Sequence, residues 1–321
     1  MNDQAVSCPV CSGVCAHQRT TTEEENYYAC SRCGLEFWHP LKHGGKAFYD
    51  TSQGYDIVER DVSWGHRQFL EHLPIKKGTL LDIGCGQGDF LAEACAAGFD
   101  IWGVDLAPRN VEFIKNVRGI TNHVYCEDLG NFVKREDIPK FDVITLFEVI
   151  EHLDAPKELL EKVRTILKPG GYLVMSTPNI ERVGGPTESW DVPPNHLTRW
   201  SRHSLEKLLS VAGFEDIVVT EQMIDFEYVV MRGALSLGLF RLLRSKKAIV
   251  EQTSPEVEHG GSRVQPPRLK VVATKILRAL AKAKTVVTKA IYFPYIAFER
   301  MKGRKYWDLY ATARNNEVSK G

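Results

Sequence analysis

Four of the eight cysteines in this 321-residue chain stand in two close pairs, Cys8-Pro-Val-Cys11 and Cys30-Ser-Arg-Cys33. Each pair can offer two thiolates to one ion. Two such knuckles complete a closed four-sulfur tetrahedron, the donor set of structural zinc. A closed set leaves no open coordination position, which points to a structural task and away from catalysis. Cys15 has the wrong spacing for a knuckle and is read as a spare thiol. Cys85, Cys95 and Cys126 are read as small buried apolar residues.

A second group, Glu148, Glu151 and His152, sits at i, i+3 and i+4, so on a helical turn the three share a face. Two carboxylates and an imidazole suit magnesium or manganese. Without an ion, His152 remains a candidate base, with Glu151 beside it and His196 of Pro193-Pro194-Asn195-His196 as a further candidate. A third group lies in Leu80-Leu-Asp-Ile-Gly-Cys-Gly-Gln-Gly-Asp-Phe90. An apolar run ends in glycines at alternate positions, Gly84, Gly86 and Gly88, and a helical pattern follows. A strand, a turn without side chains and a helix let backbone approach a nucleotide-like ligand closely. The dinucleotide fingerprint fails because Asp89 stands where it needs a third glycine. Asp82, at the strand end, suits a ligand carrying an ammonium group and fits a pyrophosphate poorly.

These residues need a scaffold, and the chain supplies one in order. A strand at Ile101–Val104 is closed by Asp105, about 20 residues past the glycines, where an acid can hydrogen-bond ribose hydroxyls. His123–Cys126 is the next strand, followed by Glu127 and Asp128. Phe141–Leu146 reads as a strand buried on both faces, followed by Phe147. Pro156 opens a helix to Leu167, and Lys168–Gly171 turns the chain into a strand at Tyr172–Ser176. A helix at Trp200–Gly213 precedes a strand at Ile217–Thr220. Strands alternating with helices predict an α/β fold with a parallel, doubly wound sheet.

Over roughly residues 60 to 220, this ordered series resembles the class I S-adenosylmethionine-dependent methyltransferases. The resemblance implies a Rossmann-like, seven-stranded sheet whose last strand is antiparallel. It also implies S-adenosylmethionine as cofactor. Asp82, Gly84 and Gly86 would hold its methionine part, with Cys85 and Gly88 in the same loop. Asp105 and Leu106 would take the ribose, Asp128 and Leu129 the adenine, with Phe147 completing the pocket; Glu127 is as plausible a contact as Asp128. Glu-Val-Ile-Glu-His resembles a segment of ubiquinone-type O-methyltransferases and of small-RNA terminal methyltransferases, where it has been associated with a divalent cation. That makes Glu148, Glu151 and His152 candidate ligands, magnesium a candidate ion and His196 a fourth ligand. Other members carry the same segment with no known metal, and there His152 serves as base or positioning group. The ribbon running into Phe37-Trp38-His39-Pro40 and the aromatics Phe48, Tyr49 and Tyr55 looks like the front of bacterial methyltransferases encoded among cell-surface glycan genes.

The missing antiparallel strand has its best candidate far downstream, at Tyr306–Ala313, where Trp307, Leu309, Ala311 and Ala313 alternate with other residues. The expected organisation is a zinc ribbon at 1–45, a core at 46–225, a basic helical insertion or lid at 226–304, and the last strand and tail at 305–321. The insertion carries most of the excess positive charge, and with 41 basic and 41 acidic residues overall the catalytic body is correspondingly acidic. A Ser/Pro/Gly-rich linker, Thr253–Pro267, divides the insertion. Its cations beside leucines and aromatics suit an anionic membrane surface, while a packed lid with solvated lysines fits equally. Nucleic acid is a less favoured partner.

No basic and apolar leader opens the chain, and no apolar run has membrane-spanning length. With paired cysteines this places the protein in the cytoplasm, with peripheral contact to the membrane's inner face as an option. The preferred reaction is O-methylation of a small-molecule or glycan- or lipid-linked acceptor. An RNA methyltransferase and a non-catalytic, methyltransferase-like binding subunit are the alternatives.

Overall fold

The computed structural model describes residues 6–20, 26–42, 44–45, 48–49, 63–72, 75–182, 191–223, 301 and 306–316. Tyr55, the linker Thr253–Pro267 and the basic insertion at 226–304, Met301 apart, lie outside the described residues.

The chain opens with three short strands, β1 (Cys15–Thr20), β2 (Asn26–Cys30) and β3 (Glu36–His39). Helix α1 (Trp64–His72) leads into β4 (Gly78–Ile83), α2 (Asp89–Ala96), β5 (Phe99–Val104), α3 (Pro108–Asn116), β6 (Val124–Tyr125), α4 (Leu129–Phe132) and β7 (Phe141–Phe147). A single 3-10 turn, Ile150–His152, precedes α5 (Pro156–Ile166) and β8 (Leu167–Pro178). Then come β9 (Thr198–Arg199), α6 (Arg202–Val211), β10 (Glu215–Met223) and β11 (Tyr306–Arg314).

Seven strands form the main sheet in the order β10-β11-β8-β7-β4-β5-β6. β4 pairs in parallel with β5 and β7, and β7 with β8, whereas β11 runs antiparallel to β8 with Leu309 opposite Thr177 and Ala313 opposite Leu173. Successive side chains leave opposite faces of a strand. Leu81, Ile144, Leu309, Ala311 and Ala313 accordingly join one apolar cluster, and Leu80, Val143 and Tyr310 join the other. The distant strand expected from its alternation is therefore present, one residue longer, as an interior strand buried on both faces.

Three local expectations change. The strand expected at His123–Cys126 shrinks to two residues, because His123 takes φ 58° and stacks on Trp102 at 3.9 Å. Lys168–Gly171 does not precede β8 but lies inside it. Gly170, at φ 75°, absorbs a bulge there while Asn315 bonds across to Gly170 and Gly171. Helix α6 starts two residues later than Trp200, where Ser201 and Ser204 cap each other reciprocally.

The ribbon belongs to a second sheet, ordered β1-β2-β3-β9. Its last strand comes from beyond β8, with Phe37 opposite Thr198 and Glu36 opposite Arg199. Cys8, Val10, Leu35 and Phe37 share an apolar cluster with Trp200, Leu205 and Leu208. The ribbon is thus packed onto the core rather than strung beside it. Among the described residues no helix is long and apolar enough to cross a membrane.

Candidate active site

A cavity of about 550 Å³ opens at the carboxyl ends of β4, β5 and β7, the edge where open α/β sheets bind ligands. Its wall includes Asp82, Gly84, Cys85, Gly86, Asp105 and Leu106, and further round Asp128, Leu129, Phe147, Glu148 and His152. Gly84, at φ 74°, has no room for a side chain, since a Cβ would stand 2.6 Å from Val149 Cγ2. A Cβ on Gly86, at φ 53°, would meet no atom within 4 Å, so bare backbone faces open space. Gly88, expected with the cofactor residues, is not part of the wall. A Cβ there would collide with Ile114 at 2.8 Å, so its bareness serves helix packing.

Asp82 is 3% exposed, and its Oδ1 accepts one hydrogen bond, from Thr145 Oγ1 at 2.6 Å. Burial pushes its carboxyl up to about 7; the Thr145 bond opposes this and the Asp105 charge adds to it. A buried carboxylate in a cavity wall is matched by a ligand ammonium, which would restore the charged form. Asp105 is also raised by burial, against bonds from Ala107 N–H, Asn110 Nδ2 and Gly86 N–H. Asp128 caps α4, accepting from Asn131 N–H at 2.9 Å and Asn131 Nδ2 at 2.6 Å. Glu127 pairs with Arg135 at 2.9 Å. The cavity wall thus carries the carboxylates of Asp82 and Asp105, with Glu127 and Asp128 further round, a lining that suits a ligand with ammonium and hydroxyl groups such as S-adenosylmethionine.

The acid and histidine cluster is arranged differently from the helical face expected for it. Glu148 has φ 55°, so the segment is not one helical turn, and its carboxylate turns to Ser176 Oγ at 2.7 Å. Glu151, His152 and His196 instead converge, each offering one donor atom within 4.8 Å of the others. Glu148 is outside this group, and the donor set becomes two imidazoles and one carboxylate. Glu151 is 1% exposed; its Oε2 accepts from Thr177 Oγ1 at 2.9 Å, while its buried Oε1 accepts no hydrogen bond. Burial, then repulsion from Glu148, pushes its carboxyl well above the usual range. His152 Nδ1 lies 2.7 Å from Asn195 O, and a carbonyl only accepts, so Nδ1 carries the proton and Nε2 the lone pair. Nε2 lies 3.9 Å from Glu151 Oε1, and the His152 and His196 rings are 4.8 Å apart. His152 lines the cavity, whereas Glu151 and His196 stand behind it.

The four cysteines of the ribbon also converge. Cys8 Sγ and Cys33 Sγ are 3.6 Å apart, Cys11 Sγ and Cys30 Sγ 3.5 Å, and all four sulfurs lie within 4.8 Å of one another. A tetrahedral ion bonded at about 2.3 Å sets its sulfurs about 3.8 Å apart, so the cage fits zinc. The contact between the Cys8 and Cys33 sulfurs lowers the Cys8 thiol and raises that of Cys33. Cys15 stays outside the cage with its thiol bonded to Gly13 O, and burial raises it to about 12. Cys95, expected to be buried, is exposed, because α2 buries Phe90, Leu91 and Ala94 instead.

Several residues of the site carry no sequence signal. His66 lines the cavity between the rings of Phe90 and Phe147, and burial lowers it to about 4. Ser63 N–H donates to its Nδ1, which leaves the proton on Nε2. Asp191 is buried with Arg182, Arg199 and His196 around it. Against its burial, the His196 bond and the two guanidiniums hold its carboxyl below the usual range.

A family model described as Methyltransferase domain matches residues 56–219. The chain is 29% identical over 165 residues to the ubiquinone biosynthesis O-methyltransferase of Coxiella burnetii, covering 44% of this chain and 69% of that protein. It is 36% identical over 129 residues to the enzyme of the same name from Cereibacter sphaeroides, covering 38% of this chain and 50% of that protein. Among solved structures, phosphoethanolamine N-methyltransferase 2 of Haemonchus contortus in complex with S-adenosyl-L-methionine superposes with a TM-score of 0.53 at 19% identity. That match covers 84% of this chain and 59% of the other, and it speaks to the fold alone.

Proposed function

The chain belongs to the methyltransferase-domain family and is a class I S-adenosylmethionine-dependent methyltransferase; from that premise we propose that it methylates an oxygen of a small-molecule or glycan- or lipid-linked acceptor. The supporting observation is His152 in the cavity wall, with Nδ1–H tied to Asn195 O and the lone pair left on Nε2. The relatives named as O-methyltransferases support the same choice of nucleophile.

S-adenosylmethionine supplies an activated methyl group on a sulfonium, so the protein's work is to align and to move one proton. Asp82 would hold the ammonium and Asp105 the ribose, with Asp128 and Leu129 toward the adenine. His152 Nε2 would take the proton of the acceptor hydroxyl as that oxygen accepts the methyl group the sulfonium supplies. Asn195 O stabilises the imidazolium that results, since it already accepts from Nδ1.

The orphaned Oε1 of Glu151 favours a second reading, in which Glu151, His152 and His196 hold a divalent ion. Such an ion would lower the pKa of the acceptor hydroxyl. Two nitrogens and one oxygen suit a transition metal better than magnesium. For the ribbon, we propose one structural zinc on Cys8, Cys11, Cys30 and Cys33.

The test is turnover on matched panels of hydroxyl and amine acceptors, read as S-adenosylhomocysteine formed. His152→Ala should lower kcat on a hydroxyl acceptor about 100-fold or more while cofactor affinity stays within about twofold. Methylation confined to amines, or full turnover by the variant, would remove the reading. Stoichiometric metal beyond the ribbon's, lost in His196→Ala, would select the metal form.

A further inference from the structure

The ribbon and the histidine pair meet in one segment. Trp38 N–H donates to Leu197 O at 3.1 Å, and Leu197 N–H donates to Glu151 O at 2.8 Å. One residue therefore carries main-chain bonds to the ribbon on one side and to the candidate site on the other. The β3–β9 pairing extends this grip through Thr198 and Arg199.

The side chains repeat the connection. The Arg199 guanidinium lies 4.4 Å from the centre of the Trp38 ring and 5.3 Å from that of Tyr27, and its Nη1 donates to Tyr27 Oη at 3.1 Å. The same Arg199 reaches Asp191 twice, Nε to Oδ2 at 3.1 Å and Nη2 to the main-chain oxygen at 2.8 Å. Arg182 Nη2 stands 2.9 Å from that Oδ2. Two guanidiniums on one buried carboxylate favour its ionised form, and the other oxygen, Oδ1, lies 2.9 Å from His196 Nδ1. An ionised carboxylate only accepts, so Nδ1 carries a proton, and in the neutral ring the lone pair falls on Nε2.

We propose that Asp191 and Arg199 are positioning residues through which the cysteine ribbon holds His196 in one tautomer and one orientation beside His152. The inference rests on the reading that the histidine pair serves methyl transfer. It gives the ribbon a task in turnover and none in cofactor binding, because no described residue of the cavity wall comes from residues 6–42. The ribbon's aromatic pair would clamp Arg199, Arg199 would hold Asp191, and Asp191 would orient the imidazole. A group fixed through its neighbours loses alignment when the supporting shell is loosened, even though the group itself is intact.

The experiment uses the full chain with 15N-labelled histidine, in which NMR distinguishes the two tautomers and His196→Gln identifies the signal. The unsubstituted protein should show His196 protonated on Nδ1. Asp191→Asn should shift the signal toward the other tautomer and lower kcat about tenfold or more, with cofactor affinity by calorimetry within about twofold. Tyr27→Phe, which removes the hydroxyl that accepts from Arg199 and donates to Glu36, is the gentler variant should Asp191→Asn fail to fold. It should displace the same His196 signal and lower kcat in the same direction, and Arg199→Lys should retain more turnover than Arg199→Leu. A His196 signal indifferent to Asp191→Asn and Tyr27→Phe would overturn the proposal. A signal that moves while kcat holds would leave the positioning intact and instead remove the histidine pair from the reaction.

Discussion

Asp105 Oδ2 accepts the main-chain N–H of Gly86 at 2.8 Å, so the acid at the end of β5 is fastened to the glycine turn that follows β4. Its other oxygen accepts from Ala107 N–H at 2.8 Å and Asn110 Nδ2 at 3.1 Å. Asp105 thus shapes the loop it is expected to share with the ribose.

Asp105→Ala should therefore act twice. Loss of charge-assisted bonds to ribose should weaken S-adenosylmethionine binding by about 1.5–3 kcal/mol. Leaving buried donors unpaired should also lower the stability of the cofactor-free protein by about 1–3 kcal/mol. Calorimetry and denaturant unfolding read the two effects separately. Unchanged affinity would take Asp105 out of the cofactor site.

Asp82 makes the cofactor-free protein sensitive to pH. Its folded pKa of about 7 lies above the ordinary 3.8, so neutral Asp82 is the form the fold prefers. Its contribution is fully present below about 4 and is lost as pH rises toward 7. Asp82→Asn, which still accepts from Thr145, should remove that decline. Relative to the unsubstituted protein it should gain on the order of 4 kcal/mol between pH 4 and pH 8. Cofactor binding should reverse the preference, since an ammonium favours the carboxylate. Calorimetry near pH 6 in buffers of different ionisation enthalpy should then register proton release that Asp82→Asn lacks. Equal proton release by both proteins would place the ammonium elsewhere.

The ribbon should carry about one zinc per chain. Replacing Cys8, Cys11, Cys30 or Cys33 by serine should release it, whereas Cys15→Ser and Cys95→Ser should not, because neither sulfur belongs to the cage. Elemental analysis checks the stoichiometry. Because ribbon and core share one apolar cluster, metal loss should also lower the melting temperature of the core transition. A well-folded, metal-free protein with its cysteines intact would exclude the cage as a zinc site.

Much of the scaffold was legible in the amino-acid order because local pattern and tertiary demand agree there. β4, β5 and β7 bury most of their residues, so apolar side chains dominate them, and Gly84 and Gly86 take the positive φ that favours glycine. Even β11, more than 80 residues beyond β10 in the chain, announced itself through alternation. Asp82 and Asp105 were legible for a related reason: each ends a strand at the edge where the ligand must lie.

The histidine centre was decided only by the tertiary structure. By spacing Glu148 shares a helical face with Glu151, but its left-handed backbone sends it to Ser176. His196 takes its place from 48 residues further along the chain. The strand that holds His196 in register, β9, is two residues long and has no periodicity to read. Its partner β3 lies some 160 residues earlier, and such a pairing becomes visible only when the ribbon is packed against the core. Asp191 and Arg199 are ordinary charged residues in the sequence. Burial beside each other is what turns them into the support of an imidazole, because a buried charge must find its partner and then holds it in place.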